Sequence, residues 1–196
     1  MLWTLKTEKA LYKAALLHDG QYRKGENNLP FIVHPIVVSG IVSQHTDDED
    51  VVTAALLHDT LEDTKYTKDE MESEFGEKVA SIVLGVTIPE AYEGDEHSSW
   101  TDDRTRYIEN LRGASNESAI VAAADKIHNF RSVLENYSDD KEKFKKDFGG
   151  NAKDRIHVYG SIVELVASRV PKKLAEELEE AWVQYKKFID DVGRGS

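Results

Sequence analysis

An all-α fold is what this 196-residue chain predicts, on three observations. Apolar residues recur at helical spacing in segment after segment, Pro and Gly number only 4 and 12, and no alternating series long enough for a sheet is present. Charged residues make up 32% and apolar residues 40%, which describes a water-soluble helical domain better than a disordered chain. The length suits one well-buried core, so the expectation is a single domain over residues 1–196 with eight or nine helices.

Each element follows from its own local signals. Leu5, Leu11, Ala15 and Leu16 share a helical stripe that stops at Gly20, a residue suited to a helix end. The polar stretch 21–29 holds Arg23, Lys24, Gly25, Asn27 and Asn28. FIVHPIVVSGIV then resumes the apolar pattern, with Pro35 in a first helical turn, where its missing N–H costs no hydrogen bond. His34 therefore stands at a loop-to-helix junction. The acidic cluster 47–50 caps a helix over about 49–61, because carboxylates accept from free N–H groups and favour the positive helix end. TKDE at 67–70 is a capping box for a short helix that Gly76 closes, and another helix covers 77–86. Residues 88–101 contain Pro89, Gly94 and Ser98-Ser99 and read as the longest loop. Helices fit 101–111, 117–135, 152–168 and, after Pro171, 172–189, with a charged loop over 138–151.

Composition narrows the chemistry. There is no cysteine, so disulfides and thiol nucleophiles are excluded and any metal must bind through His, Asp or Glu. The net charge is −12, which repels a nucleic-acid backbone, while a small anion remains a reasonable ligand. Lys6, Glu8, Lys9 and Lys13 interrupt the first twenty residues, so neither a signal peptide nor a membrane span is expected there. A cytoplasmic protein is the resulting expectation; an oligomer is compatible with it.

The hexapeptide AALLHD occurs twice, at 14–19 and 54–59. After the second copy come Thr60, Leu61, Glu62 and Asp63, so His58 and Glu62 lie one helical turn apart, as do Asp59 and Asp63. Val51 to Leu57 make the preceding turns apolar. Buried carboxylates and imidazoles need a partner, and a divalent cation is the most economical one. A His-Asp pair on a helix also has a purely structural reading. The first copy runs into Gly20-Gln21, its flanks differ, and no duplication is indicated; Ala and Leu are simply good helix formers.

Five blocks in order, HDGQYRK, PFIVHP, ALLHDTLEDT, FGEKVASIVLGVT and ADKIHNFR, together resemble the HD-domain hydrolases of the RelA/SpoT group. The likeness spans about residues 10–135 and implies an HD-type helical bundle, a small hydrolase-only member with no length for synthetase or regulatory domains. It further implies that His34, His58, Asp59 and Asp125 bind one divalent metal, usually manganese, in keeping with two imidazoles and two carboxylates. Glu62 and Asp63 match the acidic pair that orients or deprotonates the attacking water. Arg23 and Lys24 match the basic pair that meets the nucleotide, though on sequence alone an exposed basic loop is the favoured reading. Asn129 matches a position near the nucleoside, and Arg155 and Tyr159 resemble a phosphate-binding pair of small animal members. His128 is expected to be a packed or supporting histidine, and His45, His97 and His157 fall outside the blocks.

The implied reaction is removal of the 3′-diphosphate of guanosine tetra- or pentaphosphate, (p)ppGpp, giving GDP or GTP and pyrophosphate. Departures from the pattern touch base recognition more than metal chemistry: GENNLP replaces a common S-G-E-P, Ile88 stands where Lys is frequent, and Ser132 where Thr is usual. Two other readings stay open. The site could serve another nucleotide, as a nucleotide phosphatase or NADPH 2′-phosphatase, or the chain could bind an alarmone without hydrolysing it.

Overall fold

The computed structural model describes residues 4–25, 28–89, 99–149 and 151–194. Among them are eleven helical segments: α1 (Leu5–Leu17), α2 (Val33–Val42), α3 (Glu49–Leu57), α4 (Thr60–Asp63), α5 (Lys68–Phe75), α6 (Glu77–Leu84), α7 (Trp100–Gly113), α8 (Asn116–Tyr137), α9 (Lys141–Phe148), α10 (Ala152–Ala167) and α11 (Lys172–Arg194). No strand occurs among the described residues; Tyr22 and Pro30 form one isolated antiparallel bridge. None of the helices described is long and apolar enough to cross a membrane.

The all-α expectation holds, and the count of eight or nine helices is corrected upward for two physical reasons. The helix expected over 49–61 breaks at His58-Asp59. There the Thr60 hydroxyl donates to the Leu57 carbonyl at 2.6 Å and the His58 ring lies 2.9 Å from the Ala55 carbonyl, so side chains replace backbone partners and the next turn restarts as α4. The charged segment 138–151, expected as a loop, contains α9. Asp140 caps it by accepting from the Lys143 amide at 2.9 Å, and Phe144 and Phe148, one turn apart, give it an apolar edge. The expected loop over 88–101 falls largely on residues 90–98, outside the described residues.

Two capping signals are realised as read: Thr67 and Glu70 complete the box before α5, and Asp48 caps α3. Ser99 with Asp102 forms a further box that opens α7 one residue earlier than the expected start at 101. From Val51 to Leu57 every residue of α3 is buried, and α3 packs on α1, α2, α6 and α8. Burying Leu56 and Leu57 contributes about 1.5–3 kcal/mol each. Helix α8 contacts α2, α3, α6, α10 and α11, and its Ala122, Ala123 and Ala124 are buried without exception, which lets neighbouring backbones come close. The amphipathic α11 seals the core with Leu174, Leu178, Ala181, Tyr185 and Ile189. This packing brings the start of α2, the α3–α4 break and the middle of α8 to one place.

Candidate metal centre

His34 lies in the first turn of α2, His58 and Asp59 at the α3–α4 break, and Asp125 midway along α8. His34 Nε2 is 3.1 Å from His58 Nε2, 3.3 Å from Asp59 Oδ2 and 3.2 Å from Asp125 Oδ1. His58 Nε2 is 3.2 Å from Asp59 Oδ1 and 3.9 Å from Asp125 Oδ1. His34, His58 and Asp59 form a group able to hold a metal ion, and Asp125 turns an oxygen to the same point. All four residues predicted as ligands thus converge, with the imidazoles only 2% and 4% exposed.

The groups behind these donors suit coordination. His58 Nδ1 faces the Ala55 carbonyl at 2.9 Å, which keeps the proton on Nδ1 and leaves the Nε2 lone pair toward the centre. His34 Nδ1 lies 2.6 Å from His128 Nδ1, and donation to His128 frees His34 Nε2 in the same way. His128 is therefore the supporting histidine anticipated. Burial, with the nearby His34 and Arg23, pushes its pKa down to about 4, so the ring is neutral and able to accept. Asp125 accepts from Lys126 and Asn129.

The charges of the donor set define what the centre can hold. Burial lowers the His58 pKa. Burial also pulls on His34, but the Asp125 and Asp59 carboxylates outweigh it and raise that ring. Burial works against both aspartates as anions, yet His58 and His34 hold Asp59 at about 2, and Lys126 with the same histidines keeps Asp125 well below the usual range. Two ionised carboxylates and two imidazoles around one point call for positive charge, and a divalent cation fits that donor set.

Glu62 and Asp63, adjacent on α4, part company. Glu62 lines the metal cavity, about 130 Å³ in volume, and its Oε1 accepts from the Ile88 amide. Desolvation raises its pKa to about 7, with Asp59 adding to the rise and the Ile88 amide opposing it. Both side chains are exposed overall, and what separates them is that Asp63 is absent from the cavity lining; desolvation and Asp59 raise its pKa too.

Arg23, Lys24, Asn129, Arg155 and Tyr159, the five residues predicted to contact substrate, all line a second cavity of about 190 Å³. The Tyr22–Pro30 bridge and the Arg23 N to Leu29 O hydrogen bond at 2.8 Å hold the backbone at Arg23, whose guanidinium donates to Asn129 Oδ1 at 3.1 Å. Lys24 Nζ sits 5.2 Å from the Phe148 ring centre. Arg155 is buried, its guanidinium 5.0, 5.5 and 5.7 Å from the rings of Trp100, Phe144 and Phe148. Tyr159 packs edge-on against Trp100, Phe130 and Tyr185. Arg23 and Asn129 line both cavities, which therefore adjoin.

Sequence reasoning missed Phe144 and Phe148, walls of the second cavity, and Arg104, Tyr107 and Lys126 in the metal cavity. The one-turn spacing of the two phenylalanines was the available signal. His18, in the first AALLHD, is buried, with Nδ1 2.7 Å from Gln21 Oε1 and its ring tilted against Phe31 at 4.8 Å between ring centres, outside both cavities. His45 faces Glu177 at 3.4 Å and His157 is exposed; His97 lies outside the described residues.

Comparison with known proteins agrees with this architecture. The HD domain profile matches residues 10–149. A guanosine-3′,5′-bis(diphosphate) 3′-pyrophosphohydrolase, MESH1, of Danio rerio is 41% identical over 123 residues, covering 61% of this chain and 64% of the relative. A GTP pyrophosphokinase of Myxococcus xanthus is 29% identical over 185 residues, covering 93% of this chain and 23% of the relative. The chain thus spans less than two thirds of the length of these curated relatives. A solved metazoan ortholog of SpoT, described as hydrolysing ppGpp, matches with a TM-score of 0.75 at 28% identity, covering 94% of this chain and 97% of that one. With a profile match over most of its length, on a helical fold that gathers the His-Asp pair at the α3–α4 break, this chain belongs to the HD-domain family.

Proposed function

We propose that this protein is a metal-dependent pyrophosphohydrolase that removes the 3′-diphosphate of (p)ppGpp, yielding GDP or GTP and pyrophosphate. The observation that carries this reading is the pair of adjoining cavities. One holds the converged donors His34, His58, Asp59 and Asp125, the other is aromatic and basic, and Arg23 and Asn129 belong to both. The first is on the scale of phosphate groups, and the second, opening beside it, offers aromatic and basic walls against which the rest of a nucleotide can lie. The names of the relatives point to the same substrate.

A divalent cation on the four donors, Mn²⁺ in this reading, would supply Lewis-acid charge to phosphate and lower the pKa of water. Glu62 accepts the proton of the water that attacks the phosphorus attached to O3′. Its pKa of about 7 poises it for that task, and the Ile88 amide fixes one of its oxygens. The P–O3′ bond breaks, the proton passes to O3′, and pyrophosphate leaves. Asp63, outside the cavity, adds negative charge beside Asp59 and Glu62 and supports proton acceptance from behind. Asn129 and the planar guanidinium of Arg23 grip the nucleoside, while Lys24, Arg155 and Tyr159 meet the 5′ phosphates. Because Glu62, Asp63 and every predicted ligand are present, a binding protein without turnover is the weaker reading.

The test is hydrolysis of a nucleotide panel by protein loaded with Mn²⁺, with products assigned by position using phosphorus NMR. Pyrophosphate released from the 3′ position supports the reading. Orthophosphate alone indicates a phosphatase, and binding without turnover in metal-loaded, folded protein indicates a sensor; either overturns it.

A further inference from the structure

Three cationic side chains line the metal cavity, and two of them are already committed. Arg23 donates to Asn129 and faces the second cavity as well. Lys126 donates to Asp125 and lies 5.0 Å from the Tyr107 ring centre. The third, Arg104 on α7, lines the metal cavity and not the aromatic one. It makes no ion pair with any carboxylate among the described residues, its Nε is buried without a hydrogen-bond partner, and its guanidinium lies 5.9 Å from the Trp100 ring centre. Its charge is felt by Glu62 across the cavity, drawing that carboxyl's pKa downward, yet no ion pair among the described residues occupies the guanidinium. A buried Nε–H needs an acceptor, and here an arriving anion would supply it.

The cavity at about 130 Å³ has room for about four waters, the scale of phosphate groups and not of a nucleoside. We propose that Arg104 is a specificity-determining residue that receives the terminal phosphate of the 3′-diphosphate, and so selects diphosphate over monophosphate at the reacting end. This rests on the function proposed above. The geometry separates the roles: residues shared by both cavities face the nucleoside junction, and Arg104, confined to the metal cavity, faces the departing end. A guanidinium fork suits that end, because it meets two phosphate oxygens at once and holds the pyrophosphoryl group in place while the P–O3′ bond breaks and charge develops on O3′.

The experiment compares wild type, R104Q and R104K, all loaded with Mn²⁺. Calorimetric titration with inorganic pyrophosphate and with orthophosphate is run beside hydrolysis of (p)ppGpp. R104Q is expected to weaken pyrophosphate binding and lower kcat/KM by at least about tenfold, with orthophosphate binding changed less than about threefold and metal content unchanged; a single bidentate contact to an anion has that scale. R104K, which keeps charge and loses the fork, is expected to fall between, and carries the test if R104Q loses helical content. Equal weakening of both anions, or of neither, overturns the proposal. So does a changed pH–rate profile with intact pyrophosphate binding, which would mean that Arg104 acts only through Glu62. If wild type does not hydrolyse (p)ppGpp, the functional reading fails by itself, and the pyrophosphate titration still decides whether Arg104 holds the second phosphate.

Discussion

Replacing Gly25 with alanine isolates how the substrate-side loop is held. Gly25 has φ +76°, a left-handed conformation that L side chains rarely adopt. An added Cβ would lie 1.6 Å from Tyr137 Oη and 2.4 Å from its Cζ. Tyr137 is buried at the end of α8, packs edge-on against Phe144 and Phe148, and donates to Asp147 Oδ2 at 2.9 Å. Lys143 Nζ meets the Gly25 carbonyl at 2.9 Å, tying the loop to α9. The left-handed backbone costs alanine about 1 kcal/mol, losing the tyrosine hydrogen bond about 1 more, and forcing an occupied space about 1 or above. G25A should therefore destabilise the protein by about 3 kcal/mol, measured by urea unfolding at fixed metal concentration. Lys24 and Tyr137 line the aromatic cavity, so KM for nucleotide should rise several-fold. Metal content should stay intact, because the ligands sit on α2, the α3–α4 break and the middle of α8. Stability within about 0.5 kcal/mol of wild type together with an unchanged KM would refute this account.

Other expectations follow from the centre itself. His58→Ala or Asp59→Ala should abolish metal retention and activity together, whereas His18→Ala should keep its metal; metal analysis by plasma mass spectrometry distinguishes the two copies of AALLHD. His128→Ala, which removes the partner of His34 Nδ1 but no ligand, should weaken metal binding by about 10–100-fold in a chelator competition, and an unchanged affinity would show that the His34 ring needs no such support. Glu62 in metal-free protein should titrate near 7, well above its ordinary 4.5, by carbon NMR of its carboxyl. Its folded pKa is raised, so its contribution to stability is full below about 4.5 and lost as pH rises through about 7, a loss that E62Q should remove. As proton acceptor it should also make the rate climb with pH through its pKa, shifted downward by bound metal; a midpoint near 4.5 in metal-free protein would contradict the environment described.

Much of this was legible in the chain because its signals are local. Thr67 and Glu70 cap a helix wherever the rest of the protein lies, and the apolar stripe of α11 has its period written in Leu174, Leu178 and Ala181. The His58-Asp59 pair and the acidic turn after it were also visible, being neighbours in sequence. Less visible was the interruption at that pair: propensity favours a continuous helix, and only side chains competing for the Ala55 and Leu57 carbonyls end it. The helix α9 escaped notice because its residues are mostly charged and its apolar edge consists of Phe144 and Phe148, too short a pattern to outweigh composition.

The linear order of residues already carries the helical architecture and the chemical inventory: no thiols, a net negative chain, and His and Asp residues in an HD pattern. Tertiary structure decided which of these groups meet. His34 and Asp125 join His58 and Asp59 only because α2 and α8 pack against α3, and no local period carries that information. The same packing turns Glu62 into the cavity and leaves its neighbour Asp63 outside, and it selects Arg104 from the arginines of α7 to face the centre. The physical reason is one of range: helical periodicity and capping act within a few residues, whereas the charge balance of a site depends on side chains that converge from helices far apart in the chain.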